Sequence, residues 1–96
     1  MSARYKVQGT WDQHAESTVR DPGFERKGVV VTETADALDT RTGSVYLQGA
    51  FRVRVKSKLK GLPRGKTFIG ETAWSRAEAL HRDMVTALQL AEVPGE

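Results

Sequence analysis

The most strongly patterned part of the chain is residues 44–60, which read SVYLQGAFRVRVKSKLK. Apolar and polar side chains alternate along it with a period of two, as in a β-strand that lays one face on a core and the other in water. The predicted core face holds Val45, Leu47, Gly49, Phe51, Val53, Val55 and Leu59. The predicted water face holds Tyr46, Gln48, Ala50, Arg52, Arg54, Lys56, Lys58 and Lys60. A strand of this length would span about 55 Å, so we expect a bulge or bend near Gly49 and Ala50.

Two further strands are predicted before this one. Residues 4–11 alternate in the same way, and their apolar face holds Tyr5, Val7 and Trp11. Residues 28–38 begin with a β-branched run, which favours a strand. Residues 12–27, between them, show no period and contain the turn signal Asp21-Pro22-Gly23. We therefore expect a long loop over 12–27.

The end of the chain predicts a fourth strand and a helix. Residues 66–72 are predicted to form the strand, with Phe68 pointing inward. Ser75 and Glu78 have the spacing of a capping box, which predicts the start of a helix. Apolar residues then recur at helical spacing, at Ala77, Leu80, Met84, Ala87, Leu88 and Ala91. The sequence Val93-Pro94-Gly95 is predicted to end the helix.

These elements together predict an α+β fold, a four-stranded, mostly antiparallel sheet with one C-terminal helix packed on one face. A hairpin turn at 39–43, with Gly43 at a positive φ, should make the second and third strands antiparallel. The helix is expected to bury Phe51, Val53, Val55, Leu80, Met84 and Leu88. Residues 1–96 are predicted to form one domain, with a long loop at 12–27 and a C-terminal tail at 93–96.

Charge is distributed unevenly along the chain. The net charge is only +3, from 15 basic and 12 acidic residues. Residues 40–70 nevertheless contain eight basic residues and no acidic one, whereas the rest of the chain is net acidic. Such asymmetry indicates an anionic partner, because a merely solvated surface usually mixes both signs. A solvated basic face remains the alternative interpretation.

The leading hypothesis is a small nucleic-acid-binding protein that uses a basic sheet face to follow a phosphate backbone. Alternate side chains on a strand stand about 6.6–7 Å apart, which is comparable to the spacing of phosphates along one strand. The predicted binding residues are Arg52, Arg54, Lys56, Lys58, Lys60, Arg64, Lys66, Tyr46 and Arg76. Tyr46 would stack on a base, and Arg76 would meet a phosphate at the helix start. Single-stranded and duplex DNA and RNA all remain open.

The alternative hypothesis is a protein-binding inhibitor or adaptor, of the phage-encoded or defence-related type. Its basic strand would dock on an acidic protein surface, or its sheet edge would extend a partner's sheet. Under either hypothesis the open sheet edges slightly favour a homodimer over a monomer.

The second half of the chain resembles two families of nucleic-acid-binding modules. Residues 51–88 combine Phe-x-Val-x-Val, a turn, a strand ending in Gly-Glu-Thr, and Ser-Arg-Ala-Glu-Ala opening a helix. This order resembles the C-terminal half of a double-stranded-RNA-binding domain, which implies a phosphate contact at Arg76. Ala77 replaces that motif's second basic residue, and the family's N-terminal helix has no counterpart. The order is also similar to the sheet-plus-helix arm-binding domain of tyrosine integrases, which implies DNA contacts from Arg52, Arg54 and Lys56.

The residues give little support for a catalytic or metal-binding function. The chain has no cysteine, which excludes a disulfide scaffold and a thiolate metal site. Asp12, His14 and Glu16 alternate, but without a second ligand cluster a solvated loop is favoured over a metal site. His81 falls near the apolar stripe of the helix and is predicted to be a packed or boundary histidine rather than a catalyst. We expect no enzyme activity, no cofactor, no membrane association and a cytoplasmic location.

Overall fold

A computed structural model describes residues 4–20, 27–57, 62 and 64–90 of the protein. Its elements are β1 (Tyr5–Arg20), β2 (Lys27–Asp39), β3 (Val45–Lys56), β4 (Lys66–Ile69) and α1 (Ala73–Leu90). The strands form one sheet in the order β1-β2-β3-β4, and every neighbouring pair is antiparallel. The helix packs against this sheet, so the predicted α+β fold with a C-terminal helix is confirmed.

The first strand is longer than the sequence predicts. The loop expected over residues 12–27 is wrong for 12–20 and for Lys27, because β1 continues to Arg20 and β2 begins at Lys27. An irregularity in the register between Gln13 and Ala15 hides the period in the sequence, since it reverses the alternation of faces at this point. The turn signal at Asp21-Pro22-Gly23 lies outside the described residues.

The core lies between α1 and one face of β2 and β3. It consists of Val30, Phe51, Val53, Ala73, Ala77, Met84 and Leu88, with Val55, Phe68 and Leu80 packed around it. The expectation that the helix buries Phe51, Val53, Val55, Leu80, Met84 and Leu88 is therefore confirmed. Thr32 and Thr34 are also buried on this face. The hydroxyl of Thr34 donates a hydrogen bond of 3.1 Å to the carbonyl of Ala50, which meets the cost of burying it.

The helix begins before the predicted cap. Gly70 has a φ of 119° and ends β4 at Ile69, three residues before the predicted strand end. The helix then starts at Ala73, so Ser75 lies inside its first turn. The hydroxyl of Ser75 donates to the carbonyl of Thr72 at 3.1 Å and does not cap the helix. The predicted capping box is therefore wrong.

Two bulges meet at the same level of the central strand. Between Tyr46 and Ala50, β3 uses four residues where β2 uses two, and Gln48 adopts a φ of 55°. Its backbone N–H donates to the Asp36 carboxylate at 3.1 Å. On the other side of β2, the register of β1 also shifts between Gln8 and Asp12. The bulge expected near Gly49 and Ala50 is confirmed.

Beyond the bulges, the sheet continues without cover from the helix. The prediction that Val45 and Leu47 of β3 face the core is wrong, because Val45 is exposed and Leu47 is 80% exposed. Ala50, assigned to the water face, is fully buried. The molecule extends 56 Å along its long axis, which is more than an 18-residue helix can cover. Leu59 lies outside the described residues.

The hairpin turn between β2 and β3 agrees with the sequence. Gly43 has a φ of 77°, and its N–H donates to the carbonyl of Asp39 at 2.8 Å. The Asp39 side chain is buried and accepts the backbone N–H of Arg41 at 2.9 Å. This hydrogen bond holds the pKa of Asp39 below its usual range.

Replacing Leu88 tests the position of the core. Leu88→Ala should lower the free energy of unfolding by about 2–5 kcal/mol, because it leaves a cavity in a small core. Leu90→Ala is the matched control, since Leu90 is 76% exposed two residues away, and its effect should stay within about 0.5 kcal/mol. Urea denaturation followed by circular dichroism measures both. Equal effects of the two substitutions would contradict the helix orientation described above.

Candidate nucleic-acid interface

A cationic groove lies between the end of β3 and the start of β4. Its volume is about 500 Å³, and it is lined by Arg52, Val53, Arg54, Val55, Ser57, Leu62, Arg64, Gly65, Lys66 and Thr67. Four of these residues are basic, and none of the described lining residues is acidic. The groove brings together four of the nine predicted binding residues: Arg52, Arg54, Arg64 and Lys66.

The backbone of the β3–β4 connection is placed by a glycine. A Cβ atom at Gly65 would overlap the carbonyl oxygen of Val53. Only a residue without a side chain permits this close approach of the two backbones. Gly65 therefore holds the backbone at the start of β4 against the backbone of β3.

A carboxylate from the neighbouring strand lies among the cations of β3. Glu33 is directly opposite Arg52 in the sheet, and its Oε1 atom is 2.8 Å from Nε of Arg52 and 2.9 Å from Nε of Arg54. The hydrogen bond from Arg52 is the main reason why the pKa of Glu33 lies below its usual range. The cations of β3 thus have a counter-charge from β2, which the pattern within β3 does not contain.

Arg52 is held from a second side by an aromatic ring. The Trp11 ring centroid lies 4.6 Å from the Arg52 guanidinium carbon, which is a cation–π distance. Trp11, expected in the core, therefore lies on the sheet face opposite α1, which we call the open face. Arg54 remains 50% exposed. Among the described residues neither Arg64 nor Lys66 has an ion pair, so these two are the more available cations of the groove.

The other predicted binding residues lie elsewhere. Lys56 is exposed at the end of β3 but does not line the groove. Tyr46 lies beyond the bulge, where its ring meets Tyr5 edge-on at 6.1 Å. Arg76 is exposed in the first turn of α1. Lys58 and Lys60 lie outside the described residues, so their placement stays a prediction.

Sequence reasoning missed the pairing of Glu33 with Arg52. If the register beyond the hairpin turn were regular, Ala50 would lie opposite Glu33, because Leu38 pairs with Val45. The bulge at Gln48 moves β3 along by two residues and puts Arg52 there instead. An even shift keeps every side chain on its face, so the alternation in the sequence carries no trace of it.

A histidine cluster ties the helix to the sheet on the other face. His81 of α1 bonds to the hydroxyls of Ser17 at 2.8 Å and Thr32 at 2.7 Å through its two ring nitrogens. Burial, together with the nearby His14, lowers the pKa of His81. The prediction of a packed histidine is confirmed.

Comparison with known proteins adds no assignment: no family model, curated protein or solved structure matches the chain. The resemblances noted from the sequence therefore stay predictions. In the part of the chain that the structure describes, no group of three or more acidic or histidine side chains could share a metal ion. No described helix is long and apolar enough to span a membrane.

The His81 cluster makes stability depend on pH. Because the folded-state pKa is lowered from 6.5, the unfolded chain takes up the proton first as the pH falls. The free energy of unfolding should therefore be highest above pH 6.5 and decrease below it, with a slope of at most about 1.4 kcal/mol per pH unit from this one group.

The measurement is urea denaturation between pH 7.5 and 5. His81→Gln should flatten the profile, because glutamine offers hydrogen bonds to Ser17 and Thr32 without titrating. The control His14→Gln should keep most of the slope. An unchanged profile in His81→Gln would contradict this assignment.

Proposed function

We propose that the protein binds nucleic acid, and that the groove between β3 and β4 holds a stretch of the phosphate backbone. The observation that carries this proposal is the lining of the groove, with four basic side chains and no acidic one among its described residues. Phosphate contacts from lysine and arginine release condensed counterions, which supplies sequence-independent affinity. The expected place of action is the cytoplasm.

The arrangement of the cations supports a polymer more than a single small anion. Arg52 and Arg54 project from alternate positions of β3, and such positions are about 6.6–7 Å apart. Arg64 and Lys66 extend the charge onto the β4 side of the groove. The groove is an open depression about 500 Å³ in volume, which suits a backbone that passes through it.

Neutralising the groove tests the proposal. The double variant Arg54→Gln with Lys66→Gln should weaken binding about tenfold or more at low salt. Each lost phosphate contact should also reduce the slope of log affinity against log salt by about 0.7–0.9. The matched control is Lys6→Gln with Arg41→Gln, which removes the same charge from exposed sites beyond the bulges.

The readout is fluorescence anisotropy with labelled single-stranded DNA, duplex DNA and duplex RNA, each at two salt concentrations. The ranking of the probes identifies the class of nucleic acid. Equal weakening by the groove variant and its control would mean that net charge, and not the groove, governs binding.

Removing the counter-charge should have the opposite effect. Glu33→Gln keeps a hydrogen-bond acceptor beside Arg52 and Arg54 but removes the negative charge. Two unit charges about 4 Å apart interact by about 1 kcal/mol in water, so affinity should rise about fivefold. The same anisotropy titration measures it, and Glu16→Gln, an exposed carboxylate on β1, is the control. Weaker binding by Glu33→Gln would show that Glu33 serves to position the arginines.

A protein partner is the second candidate, and one observation favours it. Val45 and Leu47 are exposed apolar residues at alternate positions of β3 beyond the bulge, and so lie on the same face of the sheet. Neighbouring exposed apolar side chains of this kind favour a protein contact. If no nucleic acid binds at low salt, this candidate leads, and the groove becomes a docking surface for an acidic protein.

A further inference from the structure

A second pocket lies on the helix side of the sheet, away from the cationic groove. It has a volume of about 320 Å³ and is lined by His14, Ala15, Thr32, Trp74, Glu78, His81 and Arg82. It shares no lining residue with the groove. Trp74, in the first turn of α1, is 55% exposed. The pocket thus offers a large aromatic surface that the fold itself does not bury.

Two imidazole rings line the pocket, and contacts within the protein fix their orientation. The nitrogens of His81 are occupied by Ser17 and Thr32, so this ring presents its carbon atoms and its face to a ligand. His14 meets Phe51 edge-on, with ring centroids 5.3 Å apart and planes at 82°. Two of the three rings that line the pocket are therefore oriented before any ligand arrives.

Charged groups lie one helical turn apart beside the rings. Glu78 and Arg82 are both exposed and line the same pocket. A carboxylate accepts hydrogen bonds, and a guanidinium donates them in a planar fork that also suits phosphate. A planar ring with donors and acceptors on its edge would find partners on both residues.

We propose that this pocket binds one purine base, stacked on Trp74, with Glu78 accepting hydrogen bonds from its polar edge and Arg82 contacting an attached phosphate. Aromatic side chains are the usual platforms for bases, because every base has a π-face. The volume admits one ring system, at the lower end of small-molecule pockets. The base belongs to a free nucleotide or to the end of a strand. This site goes beyond the proposed function and does not depend on the groove.

Fluorescence in a Trp11→Phe background, where Trp74 is the sole tryptophan, tests the proposal. AMP and GMP are the probes, and ribose 5-phosphate, which lacks a base, is the control ligand. We expect saturable quenching by the nucleotides with a midpoint at or below about 1 mM and none by ribose 5-phosphate. Quenching that stays linear with concentration, or is absent, would overturn the proposal.

Calorimetry with the intact tryptophans locates the site. Trp74→Leu should weaken AMP or GMP binding at least tenfold, while circular dichroism shows a folded protein, because the side chain is mostly exposed. Arg82→Gln should weaken AMP more than adenosine if it contacts the phosphate. The groove variant Arg54→Gln with Lys66→Gln should bind AMP as the unmodified protein does. If Trp74→Leu binds normally, or if the groove variant loses AMP, the pocket is not the site.

Binding of a short single-stranded oligonucleotide with a 3′-terminal purine distinguishes a base at the end of a strand from a free nucleotide. If the ligand is a strand end, Trp74→Leu should weaken binding of the oligonucleotide as much as it weakens binding of AMP. If the ligand is a free nucleotide, the oligonucleotide should not quench Trp74 while AMP does. Failure of the groove test leaves both results unchanged, so the two proposals fail separately.

Discussion

The register of the sheet depends on the bulges in β1 and β3, the two strands that pair with β2. Asp36 accepts the N–H of Gln48 inside the β3 bulge, at the level where β1 is also irregular. A bulge re-aims side chains and increases local twist, so its position sets which residues meet across the strands. Here it puts Val53 opposite Thr32 and Arg52 opposite Glu33. Both the packing under the helix and the charges on the open face follow from that shift.

The open face consequently carries an ion-pair network, and further basic residues lie beside it at the start of β4. Glu33, only 13% exposed, is bonded by Arg52 and Arg54, and Trp11 covers the Arg52 guanidinium. Glu33 therefore neutralises part of the positive charge that Arg52 and Arg54 place on this face. Arg64 and Lys66, which have no ion pair among the described residues, lie towards β4, where Gly65 packs against the backbone of β3. The most available charge is thus at the margin of the sheet and not along its centre.

The two faces of the sheet offer different chemistry. The open face and its β4 margin present guanidinium and ammonium groups, whereas the helix side presents three aromatic rings around one pocket. The helix also leaves the sheet beyond the bulges uncovered, with Val45 and Leu47 in solvent. Because the helix is shorter than the sheet, it covers one part of the sheet face and leaves the other part exposed to solvent.

The sequence by itself determined the class of the fold and the number and order of its elements, but not the length of β1. Alternation in β3, the Asp39–Gly43 turn and the apolar stripe of α1 are local patterns, and local patterns report which backbone each segment adopts. They also determined that the cations of β3 share one face. Only the tertiary structure decided which of those cations are neutralised, because Glu33 reaches Arg52 through a two-residue shift that leaves alternation intact. It also decided that Trp11 lies outside the core and Trp74 beside a pocket, since both depend on which strands and helix surround them.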